Sequence, residues 1–519
     1  MIRFPKNRAS LLFPLATAAA AVLCLGPDSV SSVVQSLPVG PETGDALAKT
    51  ARILLAAVFA ACSAGCLAWF CVPALRVPHR AFLLCLCLLG PLYVFLFTPF
   101  SPPDERFHFE QASGTAVPDV GKRTFETEDW LNGYAQHRNV AAGYLRLGLV
   151  PGPDPSGGFG DRETAGTPVK KGNVFHHLSQ AAGYGLGRRA GLGPLPRFYL
   201  GRLSALAVYA LAVFWSIRIA PAFKLCIAAV ALCPITLQQA CSYSYDNETF
   251  ACGFLCFALF LRACAGPEER LSAGFLATAF AVTAVGMAVK CAALPFLPLL
   301  FAVPAAKFRH GLRGKAAFLV AVAVASALAA SASRSVLPHS VLDVPFGVHP
   351  SRGTTWSLRA LAADPANTFR LFVRTFDRFG PELFFQSFGS VLSGRTVWLP
   401  ARMPMVFFLL FLFAVRADRT LPDRVRPVRI ASGAGFALLT VSLSLVMLTN
   451  WTPSSDGVVQ GLQGRYWTPV LPLAAACLAA RRAKGPSAGP DADFPLFPFL
   501  LLAHCDVLAL VLKESLRTW

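Results

Sequence analysis

Long apolar runs alternate with short basic loops over most of this chain. The runs fall at 9–25, 51–75, 81–99, 198–217, 222–240, 249–264, 271–289, 291–306, 315–334, 403–416, 430–449, 466–480 and 494–512. A spanning helix needs about 20 mostly apolar residues, and a bundle tolerates shorter ones. The pattern therefore predicts an all-α integral membrane protein with about 13 transmembrane helices. The first run, preceded by Arg3, Lys6 and Arg8, also reads as a signal-like segment. Bulky Leu23 before Cys24 argues against a lipoprotein cleavage site there.

Sidedness follows from the loops. On one side, successive short loops carry Arg76 and Arg80, Arg218 and Lys224, Arg262 and Arg270, Lys307 to Lys315, Arg416 to Arg429, and Arg481 to Lys484. The short loops on the other side hold only Lys49, Lys290 and Arg465. Excess Lys and Arg mark the cytoplasmic side, so the N-terminus is expected on the cytoplasmic side of the membrane, with the large loops outside. The chain then divides into N-terminal helices (1–99), a large outer loop (100–197), a central bundle of six helices (198–334), a second outer loop (335–402) and four C-terminal helices (403–519). In the second loop, Phe369, Phe372, Phe376 and Phe379 form a helical stripe opposite Arg370, Arg374 and Arg378. That predicts an amphipathic helix over Thr368–Phe379, ended by Gly380-Pro381, lying on the membrane surface or packing its stripe on the bundle.

Composition agrees with a membrane protein. Charged residues make up 14% of the 519, against about 25% in soluble domains. The net charge of +19 sits in loops between apolar runs, so it does not suggest nucleic acid. The 15 cysteines lie in or beside apolar runs and the two long loops contain none, which excludes a disulfide framework there. No Cys/His spacing resembles a zinc site, and no repeat of 20–50 residues is visible.

The densest polar cluster follows the third run, at Ser101-Pro102-Pro103-Asp104-Glu105-Arg106-Phe107-His108. The prolines stop the span, and Asp104 suits the start of a new helix. On such a helix Asp104 and Glu105 share a face with His108. They form either a cap with a solvated first turn or a base or metal site at the outer surface. Further along, Asp246 closes the polar run Ser242–Glu248, while Arg202, Lys290 and Arg465 stand at outer span ends. Gln238 and Gln239, near a span end, are expected to bond between helices.

The stretch Thr98-Pro99-Phe100-Ser101-Pro102-Pro103-Asp104-Glu105-Arg106-Phe107-His108 resembles the signature of domain-of-unknown-function family twenty-one-forty-two, a group of bacterial polytopic membrane proteins. Phe198-Tyr199-Leu200-Gly201-Arg202-Leu203, Cys233-Pro234 through Gln238-Gln239 to Ser242-Tyr243-Ser244-Tyr245-Asp246, Val289-Lys290, and Gln463-Gly464-Arg465-Tyr466-Trp467-Thr468-Pro469 are similar to its later elements, in order. The resemblance covers roughly residues 80–480, with 1–79 an addition. Trp467 replaces the usual Phe, and His176-His177 stand where a Tyr-Pro-rich stretch is expected.

The family's layout is similar to that of GT-C glycosyltransferases, and this is a fold-level analogy. It implies transfer of a sugar from a polyprenyl-phosphate carrier to an envelope glycan, lipid or protein at the outer membrane face. Under that reading Asp104, Glu105 and His108 are catalytic. Arg202, Asp246, Lys290, Arg465 and Tyr466 bind substrate, with Asp104 and Asp246 able to hold a divalent cation such as Mg or Mn. Glycosyl transfer needs a carboxylate to deprotonate the acceptor and cations to neutralise the departing phosphate. The implied partners are membrane lipid, the lipid-linked donor and other envelope-synthesis proteins. A transporter or flippase of lipid-linked glycans would instead place ionisable groups at mid-membrane. A non-catalytic envelope-assembly scaffold would leave the Asp-Glu-His cluster unexplained.

Overall fold

The computed structural model describes residue 35 and residues 41–97, 99–116, 175–332, 353–395, 397–418, 425–478 and 495–517, together with the pairs 124–125, 164–165 and 348–349. The expected span at 9–25 and most of the first large loop lie outside them. In chain order the helices are α1 (Pro41–Cys71), α2 (Pro78–Leu96), α3 (Glu105–Ala116), α4 (Leu178–Arg189), α5 (Pro194–Ile219), α6 (Lys224–Ala231), α7 (Pro234–Ala240), α8 (Asp246–Ala265) and α9 (Ala273–Ala288). They continue with α10 (Leu297–Ala302), α11 (Gly311–Ala332), α12 (Leu358–Ala363), α13 (Pro365–Ser387), α14 (Arg402–Ala417), α15 (Val425–Asn450), α16 (Leu471–Leu478) and α17 (Leu496–Arg517). Three two-residue antiparallel pairs are the only strands among the described residues. The protein is all-α and membrane-embedded in character.

Seven of these helices are long and apolar enough to cross a membrane: α1, α2, α5, α8, α11, α15 and α17. The other apolar runs among the described residues fold as shorter helices, and proline explains several of the breaks. The run 222–240 divides into α6 and α7 at Cys233-Pro234, because Pro234 has no amide to give the preceding turn. The Thr236 hydroxyl donates to the Val230 carbonyl at 2.9 Å instead. Pro295, Pro298 and Pro304 likewise confine the run 291–306 to single turns around α10. α8 is the central helix. Asn247 in its first turn donates to the Ala205 carbonyl at 3.0 Å and the Ala240 carbonyl at 2.9 Å, tying α5, α7 and α8 together.

Polar groups also occur within the spans. His504 of α17 is fully buried, lies 3.1 Å from the Tyr93 hydroxyl and bonds the Leu232 carbonyl at 2.7 Å. These bonds end on α2 and on the residue that follows α6, so it joins helices.

The amphipathic helix extends further than its sequence suggests. α13 runs through Gly380-Pro381 to Ser387. Its last turn is held by the segment after α15: Gly464 N donates to Gln386 Oε1 at 2.8 Å, and the Ser387 hydroxyl donates to the Gly464 carbonyl at 2.8 Å. A Cβ at position 464 would lie 2.1 Å from the Leu383 carbonyl, so this contact requires glycine. Phe372, Phe376 and Phe379 pack on the bundle, while Phe369 remains 67% exposed.

One buried ion pair organises the end of the bundle that carries the polar motifs. Arg202 of α5 grips Glu105 at the start of α3 through Nε at 2.9 Å and Nη2 at 2.6 Å. Both side chains are fully buried. Glu105 also accepts the Phe100 amide at 2.7 Å and the Tyr243 amide at 2.9 Å. Arg202 Nη1 donates to the Val94 and Phe97 carbonyls at 2.8 and 2.6 Å, which closes the end of α2. Removing one partner of such a pair leaves a buried charge, at a cost of about 3–5 kcal/mol. Glu105→Ala and Arg202→Ala are therefore expected to lose most folded, membrane-inserted protein, measured by size-exclusion of the detergent-extracted chain. Wild-type yield from either variant would show that the pair does not hold the fold.

Candidate functional site

The site forms where four separate segments end at the same face of the bundle. The turn before α3 supplies Asp104, the start of α8 supplies Asp246, the residue pair after α9 supplies Lys290, and the turn before α16 supplies Arg465. Arg465 is the hub. Its Nε lies 3.0 Å from Asp246 Oδ2, and its Nη2 lies 4.0 Å from Asp104 Oδ2. The Asp246 contact is an ion pair without hydrogen-bond alignment, so both atoms keep unfilled bonding positions. Lys290 places its Nζ 2.9 Å from the centre of the Tyr245 ring. It acts electrostatically on Asp246, Tyr466, Arg465 and Asp104 alike.

Burial sets the electrostatics. Arg465 is 5% exposed, while the Asp104 side chain is 66% exposed and forms the open edge of the cluster. Burial works against the Arg465 charge, but Asp246, then Tyr466, Tyr245 and Asp104, hold its pKa above the ordinary arginine value. The Lys290 side chain keeps an exposed edge, and the groups packed around its ammonium still exclude enough water to outweigh Asp246 and lower its pKa to about 8. Burial likewise raises the Tyr245 hydroxyl above its usual range, with the Asp246 charge adding to the effect.

Histidines line the side next to Tyr245. His108 Nδ1 and His177 Nε2 are 2.9 Å apart, and the His108 ring meets the Tyr245 ring edge-on at 4.5 Å. Burial, then His177, Lys290, Arg465 and His176, keep His108 well below the usual imidazole pKa. His176 is lowered to about 4 by burial and the Lys290 charge. Both are thus neutral near pH 7. The sequence marked His176-His177 only as a departure from the motif. Their position against His108 and Tyr245 could not be found without the fold, because a loop of more than sixty residues separates them from His108.

The backbone around the site is strained. Six non-glycine residues among those described have left-handed backbone, and Phe100, Asp104, Lys290 and Cys291 are four of them. A fifth, Ser393, donates its hydroxyl to the Ser101 carbonyl at 3.3 Å. Left-handed backbone costs about 1–2 kcal/mol per non-glycine residue, and such outliers concentrate at functional sites. At Asp104 it has a visible effect. The Asp104 carbonyl accepts the His108 amide at 3.1 Å, as a helix start should, but the side chain extends to Arg465 instead of sharing a face with His108.

Several expectations change as a result. Glu105 and His108 do not pair; Glu105 turns to Arg202 and His108 to His177. The Glu105 oxygens already accept four bonds, and the Arg202 N–H groups donate to Glu105 and to carbonyls, so both serve as the wall behind the site. Tyr466 does lie near the cluster, its ring 5.5 Å from the Arg465 guanidinium. Gln238 and Gln239 are buried, and none of their amide atoms has a hydrogen-bond partner among the described residues, contrary to the expected interhelical bonds. A small open cavity of about 30 Å³ behind Arg465 is lined by Pro103, Ile235, Gln386 and Gln463 among others. That is room for one or two waters.

The donor set suits an anion better than a divalent cation. Asp104 and Asp246 are both engaged by Arg465, and the Lys290 charge adds to the field a cation would meet. Among the described residues no group of three or more His, Cys, Asp or Glu side chains has metal-binding geometry.

Comparison with curated proteins and with solved structures finds no match. A family model described as predicted membrane protein (DUF2142) matches residues 87–474. That range contains all four segments that build the site, and the chain belongs to this family of membrane proteins.

Proposed function

We propose that the protein is a GT-C-like glycosyltransferase of the bacterial cytoplasmic membrane, taking a sugar from a polyprenyl-phosphate carrier. The observation that carries this reading is the convergence of Asp104, Asp246, Lys290 and Arg465, from four segments far apart in sequence, on one membrane-end cluster. In this mechanism Lys290 and Arg465 bind the carrier phosphate. The acceptor hydroxyl attacks the anomeric carbon, forming the new C–O bond as the bond to the phosphate oxygen breaks. Asp104, at the open edge, takes the acceptor proton, and the phosphate leaves with the electron pair against the two cations. Asp246 orients Arg465. His108 and Tyr245 form an uncharged wall that fixes Lys290.

The direct test uses membranes containing the protein, mixed with polyprenyl phosphates bearing radiolabelled hexoses. Label should pass from the lipid-extractable fraction to an envelope acceptor, and Asp104→Asn should reduce the rate about 100-fold or more with normal insertion. Equal rates in wild type and variant, or no transfer from any lipid-linked hexose, would sink the proposal.

The pH dependence supplies an independent check. Lys290 carries its charge below its pKa of about 8 and loses it above. Donor binding should therefore weaken as pH rises through about 8. Lys290→Arg keeps the charge to far higher pH and should move the alkaline limb upward. An unchanged limb would remove Lys290 from phosphate binding.

The reading also requires sidedness, with residues 335–402 outside the cell. A cysteine introduced at exposed Arg378 should label with an impermeant thiol reagent in intact cells. Labelling only after permeabilisation would put the site on the wrong side for a polyprenyl-linked donor.

A further inference from the structure

At the other end of the same central helix lies a groove that the proposed reaction does not use. Its walls are α5, α8 and α9, with Leu211 and Trp215 on the first, Leu255 and Leu259 on the second, and Phe275 and Val282 on the third. Its volume is about 500 Å³, within the ~300–1,000 Å³ of pockets that take a small organic ligand. α5 and α8 are long apolar spans and α9 is a shorter apolar helix, so the groove faces the hydrocarbon region. Leu211 is 62% and Trp215 46% exposed there.

The far end of the groove is basic. Arg262 of α8 lines it, about 24 Å along the helix from Asp246 at 1.5 Å per residue. The Arg218 guanidinium stacks on Trp215, 4.9 Å from the ring centre. Lys224 Nζ reaches the Arg218 carbonyl at 3.5 Å and interacts electrostatically with Arg262. Arg80 and His79 lie close enough to join this cluster, since Arg80, Arg218 and Lys224 all act on His79. Two acids face the group: Glu268, which holds Arg262 in an ion pair, and Asp418, which acts on Lys224. Arg218 remains an exposed cation at the groove mouth, with a tryptophan beside it.

We infer that this groove binds an anionic phospholipid in the leaflet opposite the candidate site, one acyl chain lying between α5 and α9 and the headgroup phosphate over Arg218 and Lys224. The occupant follows from the two halves of the site. An apolar slot open to the membrane takes a hydrocarbon chain, and a basic rim with an interfacial tryptophan selects a negative headgroup at the end of that chain. The inference does not depend on the glycosyltransferase reading, because it involves none of the residues of that site.

Trp215 gives a direct readout. The full chain is reconstituted in phosphatidylcholine vesicles containing, at equal mole fraction, either phosphatidylglycerol or phosphatidylcholine brominated on its acyl chains. The Trp215 signal is the fluorescence difference between wild type and Trp215→Phe. Brominated phosphatidylglycerol should be enriched at Trp215 roughly fivefold over brominated phosphatidylcholine, the preference that one interfacial cation supplies. Arg218→Gln with Lys224→Gln should abolish the preference. So should Gly274→Leu, which fills the groove from a position where a Cβ meets nothing within 4 Å. Equal quenching by the two lipids, or a preference that survives either change, overturns the inference.

Discussion

A carboxylate and a guanidinium buried together between helices must satisfy every one of their hydrogen-bonding positions or destabilise the fold. Glu105 and Arg202 do so by drawing in backbone groups from three places: the end of α2, the turn before α3 and the loop before α8. Those bonds fix the relative positions of the segments that carry Asp104 and Asp246. Aromatic packing completes the wall, with the Phe198 and Tyr243 rings tilted against each other at 4.9 Å and the Tyr243 hydroxyl donating to the Phe198 carbonyl. Gly201 is required here, because a Cβ would lie 1.8 Å from that hydroxyl. The ion pair thus explains why a motif-rich stretch can be rigid at its base and still present an exposed carboxylate one residue away.

The cluster around Arg465 works on a different principle. Its charges are close but incompletely bonded, with Asp246 Oδ2 and Arg465 Nε buried near each other and not aligned. Unfilled positions of that kind are costly in a purely structural network and useful in a binding site. Left-handed backbone at Asp104 and Lys290 points the same way, since the fold bears strain there for side chains that reach the hub. A neutral His108, packed against Tyr245 beside His177, leaves the cations as the dominant field at the site.

The two ends of α8 make the division of labour physical. Its first turn carries Asp246 and the bonds that hold α5 and α7, and its last turn carries Arg262 beside an open apolar groove. Between them, 78% of the apolar stretch of the span is buried. A rigid central helix of this kind keeps the polar end in register while leaving the opposite end free to contact lipid.

The all-helical membrane character was legible in the sequence because hydrocarbon length and loop charge act locally, residue by residue. So was the list of polar residues that meet at the site, since Asp104, Asp246, Lys290 and Arg465 all stand at the ends of apolar runs. Their division into roles was not. Asp104 and Glu105 are adjacent and chemically alike, and only the packing of α5 against the end of α2 decides that Glu105 is buried on Arg202 while Asp104 faces outward. The continuation of α13 through Gly380-Pro381 depends in the same way on bonds from Gly464, which is more than seventy residues distant. The His108–His177 contact and the groove beneath Trp215 arise between elements that no local pattern relates. Apolar periodicity sets which segments enter the membrane, whereas long-range satisfaction of buried polar groups sets which side chains are left to act.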